Sequence, residues 1–83
     1  MPPMSVPTPE ELRELIAAGL PCTHLAVEGD GQHFFATIVS PRFAGLSRLQ
    51  RHRLVYEVLG ERMREQIHAL SMRTVAPGEA LPS

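Results

Sequence analysis

A tight-turn sequence between two β-forming runs most constrains how this chain can fold. Residues 23–28 alternate apolar and polar side chains, and residues 33–40 are rich in aromatic and β-branched side chains. Between them stands Gly-Asp-Gly-Gln at residues 29–32, which is typical of a hairpin turn. We therefore predict two antiparallel strands. The alternation of the second strand places one set of side chains on a single face: Phe34, Ala36 and Ile38.

Helix-start sequences flank this hairpin on both sides. Thr8 and Glu11 have the spacing of a capping box, with a proline between them at the first helical position, which predicts a first helix over about residues 9–18. Ser47 has a capping side chain directly before a second apolar-periodic segment. This pattern predicts a second helix over about residues 48–59.

The rest of the chain completes an α+β pattern. We expect Gly60 to break the second helix, residues 61–66 to form a short third helix, and residues 67–75 to form a third strand. The resulting order α-β-β-α-α-β predicts helices on one face of a three-stranded sheet. The 83 residues suffice for one domain, since domains rarely fall below about 50 residues.

Composition narrows the classes of function. The single cysteine, Cys22, excludes an intramolecular disulfide and a cysteine-rich metal knuckle. The net charge of −1 gives no general attraction to nucleic acid or anionic membrane. No apolar run approaches the roughly 20 residues that cross a bilayer. The single cysteine also fits a reducing compartment, so we expect a cytoplasmic protein. We expect no enzymatic activity, because no set of residues with catalytic spacing is evident.

Three segments, in order, resemble the BolA family: DGQHF at the hairpin, SPRFAGLSRLQRHRLVY through the central helix, and IHALSMRT on the last strand. The resemblance covers about residues 9–77, and the hairpin and short C-terminus are most similar to the IbaG (YrbA-like) branch. It implies a class II KH-like fold with a mixed sheet. We accordingly assign residues 8–77 to a BolA-like domain, with flexible tails at residues 1–7 and 78–83. Members of the family often end in an acidic-tryptophan segment, and this chain has no tryptophan.

The resemblance also implies a shared metal centre. BolA-like proteins pair with monothiol glutaredoxins around a [2Fe–2S] cluster, and the resemblance places the ligand role on His68 and suggests His33. One thiol and four imidazoles cannot close a four-cysteine site, whereas two histidines can hold one iron of such a cluster. We expect the cluster only in complex with glutaredoxin and glutathione, and none in the isolated protein. The implied role is cluster trafficking or iron, redox or acid-stress signalling.

Other interpretations of these donors stay open. His68 could instead be a buried, hydrogen-bonded histidine, and His33 a solvated turn residue. Cys22 is a weaker candidate ligand, or else a plain thiol. It stands two residues before His24, but a cysteine–histidine nucleophile also needs an orienting group and an oxyanion site, and neither is evident.

The central helix is rich in arginine and gives a second functional hypothesis. Its basic segment is a candidate nucleic-acid or partner surface, or else an ordinary solvated face, and comprises Arg42, Arg48, Arg51, His52 and Arg53. Such a surface could meet phosphates, so the alternative function is a DNA-binding stress-response transcriptional regulator. The G-x-x-G loop that clamps nucleic acid in KH domains is absent from residues 43–47. A plain interaction module without a cluster, and a weak homodimer, also remain open.

Overall fold

The computed structural model describes residues 8–30, 33–63 and 69–79. These contain two helices and three strands, joined by short 3₁₀ turns at Pro41–Phe43 and Gly60–Met63. In chain order the elements are α1 (Pro9–Gly19), β1 (His24–Gly29), β2 (Phe34–Val39), α2 (Arg48–Leu59) and β3 (Leu70–Val75). The predicted α+β class is confirmed.

Both helices begin at the predicted capping boxes. Thr8 Oγ1 accepts a hydrogen bond from the Glu11 N–H at 3.1 Å, and Glu11 Oε1 accepts one from the Thr8 N–H at 3.0 Å. Ser47 and Gln50 exchange the equivalent pair at the start of α2. These bonds satisfy N–H groups that have no partner within the helix. At the other end, α2 stops at Gly60, whose φ of 61° favours glycine.

The sheet has the strand order β1-β2-β3 and is mixed. β1 runs antiparallel to β2, with Gly29 opposite Phe34, so the predicted hairpin is confirmed. β3 runs parallel to β2, with Leu70 opposite Phe34 and Val75 opposite Val39. β2 and β3 therefore begin at the same end of the sheet.

The described part of β3 begins at Leu70, so the predicted segment 67–75 was wrong at Ala69. Ala69 lies in a 3₁₀ turn, and residues 67 and 68 fall outside the described part of the chain. The described ladder of β3 with β2 starts where Phe34 lies opposite Leu70. The predicted third helix begins as the 3₁₀ turn through Met63, and residues 64–66 also lie outside the description.

The core lies between the helices and one face of the sheet. The predicted inner face of β2 is confirmed, because Phe34, Ala36 and Ile38 are buried. They pack with buried side chains from both helices, namely Leu12 and Ile16 of α1 and Val55 and Leu59 of α2. No helix within the described residues is long and apolar enough to cross a membrane.

Candidate functional site

His33 stands at the end of the sheet where β2 begins. Its backbone is held by Asp30, since the His33 N–H donates to Asp30 Oδ1 at 2.9 Å and the His33 carbonyl accepts from the Asp30 N–H at 3.2 Å. These two bonds close the hairpin between β1 and β2. The side chain of His33 is exposed, so the fold presents its imidazole to solvent at a fixed backbone position.

The parallel pairing of β2 and β3 determines what lies beside His33. Phe34, which follows His33, is opposite Leu70, the first residue of β3. The first residue of β3 therefore lies close to His33, at the same end of the sheet. His68, the other predicted ligand, precedes Leu70 by two residues in the sequence and lies outside the described residues.

Cys22 occupies the opposite end of the sheet. It lies beside the end of β2, because the neighbouring Thr23 N–H donates to the Val39 carbonyl at 2.8 Å. β2 has six residues, and at roughly 3.3 Å per residue such a strand is about 20 Å long. The structure therefore does not bring Cys22 and His33 together. The Cys22 thiol donates to the Leu20 carbonyl at 3.3 Å, and burial raises its pKa.

The described residues do not assemble a complete metal site. Within residues 8–30, 33–63 and 69–79, histidine, cysteine, aspartate and glutamate side chains form no group of three or more that could hold a metal ion. A [2Fe–2S] cluster needs four ligands. His33 fits such a centre as one imidazole donor, provided that the remaining ligands come from elsewhere.

Arg51 links α2 to two other parts of the fold. Its guanidinium donates to the Leu46 carbonyl at 2.9 Å and to the Thr74 carbonyl at 3.0 Å. It also forms a two-point ion pair with the Glu79 carboxylate, at 2.8 and 2.9 Å. Its side chain is 13% exposed. Arg51, predicted as part of a nucleic-acid or partner surface, thus has four of its five N–H donors engaged within the molecule.

Glu79 was not predicted as a site residue, and it was assigned to the C-terminal tail. In the structure it accepts hydrogen bonds from Arg51 and from the Ala76 N–H, the latter at 2.9 Å. The Arg51 side chain, followed by the Ala76 backbone, lowers the pKa of Glu79 to about 2. Glu79 and Arg51 are 28 residues apart in sequence, so no local pattern could have indicated this pair.

The other basic residues of the predicted surface divide between two hollows. A cleft of about 580 Å³, here called the β3 cleft, separates α2 from β3; its lining includes Arg48, His52 and Arg73. A shallower hollow of about 410 Å³ is lined by Arg42 and Arg53, together with Gln50 and Glu57. The five predicted residues are therefore divided between two hollows, with Arg51 also in the lining of the β3 cleft.

His52 is half-buried beside the β3 cleft. Burial, with a smaller contribution from the Arg48 charge, lowers its pKa, so its neutral form is favoured. The imidazole meets the Tyr56 ring edge-on at 6.5 Å between centroids. Its Nε2 atom is buried and has no hydrogen-bond partner among the described residues. A buried polar atom without a partner is uncommon in folded proteins.

Comparison with known proteins identifies the family of this small α+β domain. Residues 17–79 match the family model described as BolA-like protein. The chain therefore belongs to the BolA family, as the sequence resemblance implied.

Individual relatives agree with this assignment. The chain is 43% identical over 56 residues to BolA-like protein 1 of Mus musculus, covering 68% of this chain and 41% of that protein. It is also 43% identical to the DNA-binding transcriptional regulator BolA of Vibrio cholerae, covering 68% of this chain and 53% of that one. The chain thus spans about half or less of these two relatives. Their names state no enzymatic reaction.

A solved structure shows the same fold. The structure of a bolA protein homologue from Coxiella burnetii superposes with a TM-score of 0.74 at 43% identity, covering 86% of this chain and 92% of that one. The fold is therefore that of the BolA family. The family match does not decide between the branches of the family, so the IbaG-like branch stays a prediction.

Proposed function

We propose that this chain is a non-enzymatic adaptor that docks on a monothiol glutaredoxin and shares a [2Fe–2S] cluster with it. The observation that carries the proposal is the parallel register of β2 and β3. It places the exposed His33 beside the start of β3, the strand that His68 precedes in the sequence. Two imidazoles from this chain would then serve one iron.

The donor set of the chain supports a shared centre over a self-contained one. Imidazole ligands on one iron of a [2Fe–2S] cluster are known chemistry, and the other iron is then held by thiolates. Cys22 lies at the other end of the sheet from His33, so the thiolates must come from a partner. In this proposal they are the glutaredoxin cysteine and glutathione. The cluster would supply one-electron redox chemistry at this end of the sheet.

His33 itself is suited to contact with a partner. Its side chain is exposed, and its backbone is fixed by two hydrogen bonds to Asp30, so little ordering of this residue would accompany docking. We place the complex in the cytoplasm, where thiols stay reduced. Its role there would be cluster trafficking or iron, redox or acid-stress signalling.

A mixing experiment tests this proposal. The wild-type protein is added anaerobically to cluster-loaded monothiol glutaredoxin, and the visible circular dichroism spectrum is recorded. We expect a new spectrum for the wild type, and its loss in His33→Ala and His68→Ala. His24→Ala is the matched control, because His24 is also exposed but lies opposite Val39, at the other end of the sheet. A glutaredoxin spectrum that the wild-type protein leaves unchanged would refute the proposal.

A second function is favoured by a specific pair of observations. The Vibrio cholerae relative is named a DNA-binding transcriptional regulator, and in this chain Arg42 and Arg53 are exposed and line one hollow. We propose that these two arginines, rather than the engaged Arg51, would contact DNA phosphates. Glu57 in the same hollow would limit the strength of this contact.

Titration of a labelled duplex at several salt concentrations tests the second function. Phosphate contacts make binding fall steeply with salt, by a slope of about 0.9 per contact on a log–log scale. We expect the Arg42→Ala, Arg53→Ala double variant to lose about two units of that slope. Arg13→Ala removes an exposed arginine of α1 and should leave it unchanged. Equal slopes for all three proteins would reject these residues as DNA contacts.

A further inference from the structure

The outer edge of β3 carries backbone groups that no described strand uses. β3 is the last strand of the order β1-β2-β3. The Val75 carbonyl accepts a hydrogen bond from Ser40 directly after β2, so Val75 faces β2. Alternate residues of a strand direct their backbone groups to opposite sides, so Met72 and Thr74 face away from β2. The Thr74 carbonyl confirms this direction, because it accepts from Arg51 of α2.

The β3 cleft runs along this same edge. Its lining includes Met72, Arg73, Thr74 and Val75 on the strand side and Arg48, Arg51 and His52 on the helix side. The outward N–H of Met72, the outward carbonyl of Met72 and the N–H of Thr74 therefore border a hollow of about 580 Å³. A strand edge that no described strand covers is a template for an added strand.

The charge of the cleft favours an acidic occupant. Arg51 already holds the Glu79 carboxylate at two points, which neutralises both groups. Arg48 is exposed and forms no ion pair within the described part of the chain. Arg73 is exposed as well, with its guanidinium 5.2 Å from the centre of the Phe35 ring. Beyond the internal pair, two positive charges thus remain along the edge.

Stacking surfaces for nucleic-acid bases are scarce here. Among the described residues that line the cleft there is no phenylalanine, tyrosine or tryptophan, and His52 supplies their one aromatic ring. Single-strand binders usually stack successive bases on several aromatic side chains. The combination of a strand edge, flanking arginines and few rings suits a peptide better than a nucleic acid.

We propose that the β3 cleft binds an extended acidic peptide segment of a partner protein, which adds a fourth strand beside β3. Its backbone pairs with the outward Met72 N–H and carbonyl and with the Thr74 N–H, and its carboxylates meet Arg48 on the helix side or Arg73 on the opposite face. This surface is separate from His33, which lies at the start of β2, and the inference does not depend on cluster sharing.

Fluorescence anisotropy with defined peptides tests the proposal. The probe is a labelled hexapeptide that alternates valine and glutamate, and the matched peptide has glutamine in place of glutamate. We expect the acidic probe to bind with a Kd on the order of 10–100 µM. The glutamine peptide should bind about tenfold more weakly, since it lacks charge complementarity with the cleft. Arg48→Gln with Arg73→Gln should cause a similar loss, whereas Arg42→Gln with Arg53→Gln, outside the cleft, should not.

Backbone pairing has its own control. Two further probes carry N-methyl groups on the valine nitrogens or on the glutamate nitrogens. Only one set of nitrogens faces β3, so we expect one probe to lose binding and the other to keep it. Three outcomes overturn the proposal: no binding of the acidic probe up to about 1 mM, equal binding of both methylated probes, or binding of a thymidine oligonucleotide to the cleft in preference to the acidic peptide.

Discussion

The two ends of the sheet differ in how they are held together. At the histidine end, where β2 and β3 begin, His33 is exposed and its described hydrogen bonds involve only the backbone and Asp30. At the arginine end, where the same strands finish, Ser40 and Arg51 join distant segments by side-chain hydrogen bonds. The difference suggests that stability and partner binding depend on opposite ends, so that substitutions can separate them.

Ser40 shows how tightly the arginine end is connected. It is fully buried, and its hydroxyl donates to the Pro21 carbonyl at 2.6 Å. The same hydroxyl accepts from the Arg42 N–H at 3.1 Å, and the Ser40 N–H donates to the Val75 carbonyl at 2.9 Å. One small residue therefore fixes the entry to β1, the end of β3 and the turn towards α2.

The largest expected effect is that of Arg51→Ala. It removes hydrogen bonds to two backbone carbonyls and to a carboxylate, at a cost of about 2–3 kcal/mol in the free energy of unfolding. Urea denaturation measures the change. Arg53→Ala, an exposed arginine on the same helix, should change the value by less than about 0.5 kcal/mol. Arg51→Lys should restore only part of the loss, because an ammonium group lacks the planar fork.

The next effect should come from Ser40→Ala. The Pro21 carbonyl and the Arg42 N–H would each lose a partner, which we expect to cost about 1–2 kcal/mol. Ser71→Ala is the control, because Ser71 is an exposed serine of β3. If both serine variants unfolded at the wild-type urea concentration, the arginine end would not hold the sheet together as described.

Acid titration gives a smaller effect at the same end. The pKa of Glu79 is about 2 in the folded protein, against an ordinary value of 4.5. Its contribution to stability is therefore complete above about pH 4.5 and is lost as the pH falls towards 2. The difference in melting temperature between wild type and Glu79→Gln should accordingly shrink over this range. This difference in melting temperature should be modest at every pH, because the Glu79 side chain is 45% exposed and solvent screens its ion pair with Arg51.

The smallest stability effect is expected at the histidine end. His33→Ala leaves the two backbone-mediated hydrogen bonds intact, so the free energy of unfolding should stay within about 0.5 kcal/mol of the wild type. Loss of the shared-cluster spectrum in this variant, with stability unchanged, would sharpen the contrast between the ends. A destabilisation above 1 kcal/mol would mean that His33 supports the fold, and the contrast would fail.

The features that could be predicted from the sequence are those with a local signal. Capping boxes place the residues Thr8 and Ser47 within one turn of their partners, and the alternation in β2 identifies its buried face directly. The hairpin likewise needs only adjacent residues. The BolA resemblance added the identity of the fold and the hypothesis about His33 and His68. His33 is exposed at the expected strand start, while the ligand role itself stays a prediction.

The features that escaped prediction depend on long-range geometry. An arginine on an amphipathic helix is the same in sequence whether it faces solvent or a distant carboxylate, so Arg51 was grouped with the exposed arginines. The pairing of Arg51 with Glu79 depends on how β3 and the turn after it lie beside α2, and no sequence pattern indicates that arrangement. The third strand was also predicted to include Ala69, which lies in a 3₁₀ turn. Apolar residues precede Leu70 in the sequence, and only the pairing of Leu70 with Phe34 marks where the described ladder begins.

The hydrogen bond from Ser40 to Val75 has a consequence for how the sheet opens. The Ser40 amide bonds to Val75, which is 35 residues away in sequence, and the Ser40 side chain is fully buried. Deuterium can replace this amide proton only when the hydrogen bond to Val75 opens, which parts β3 from β2 at this end of the sheet. Fraying of the hairpin at the other end of the sheet would leave it protected. The exchange rate of this one amide should therefore follow the separation of the two parallel strands.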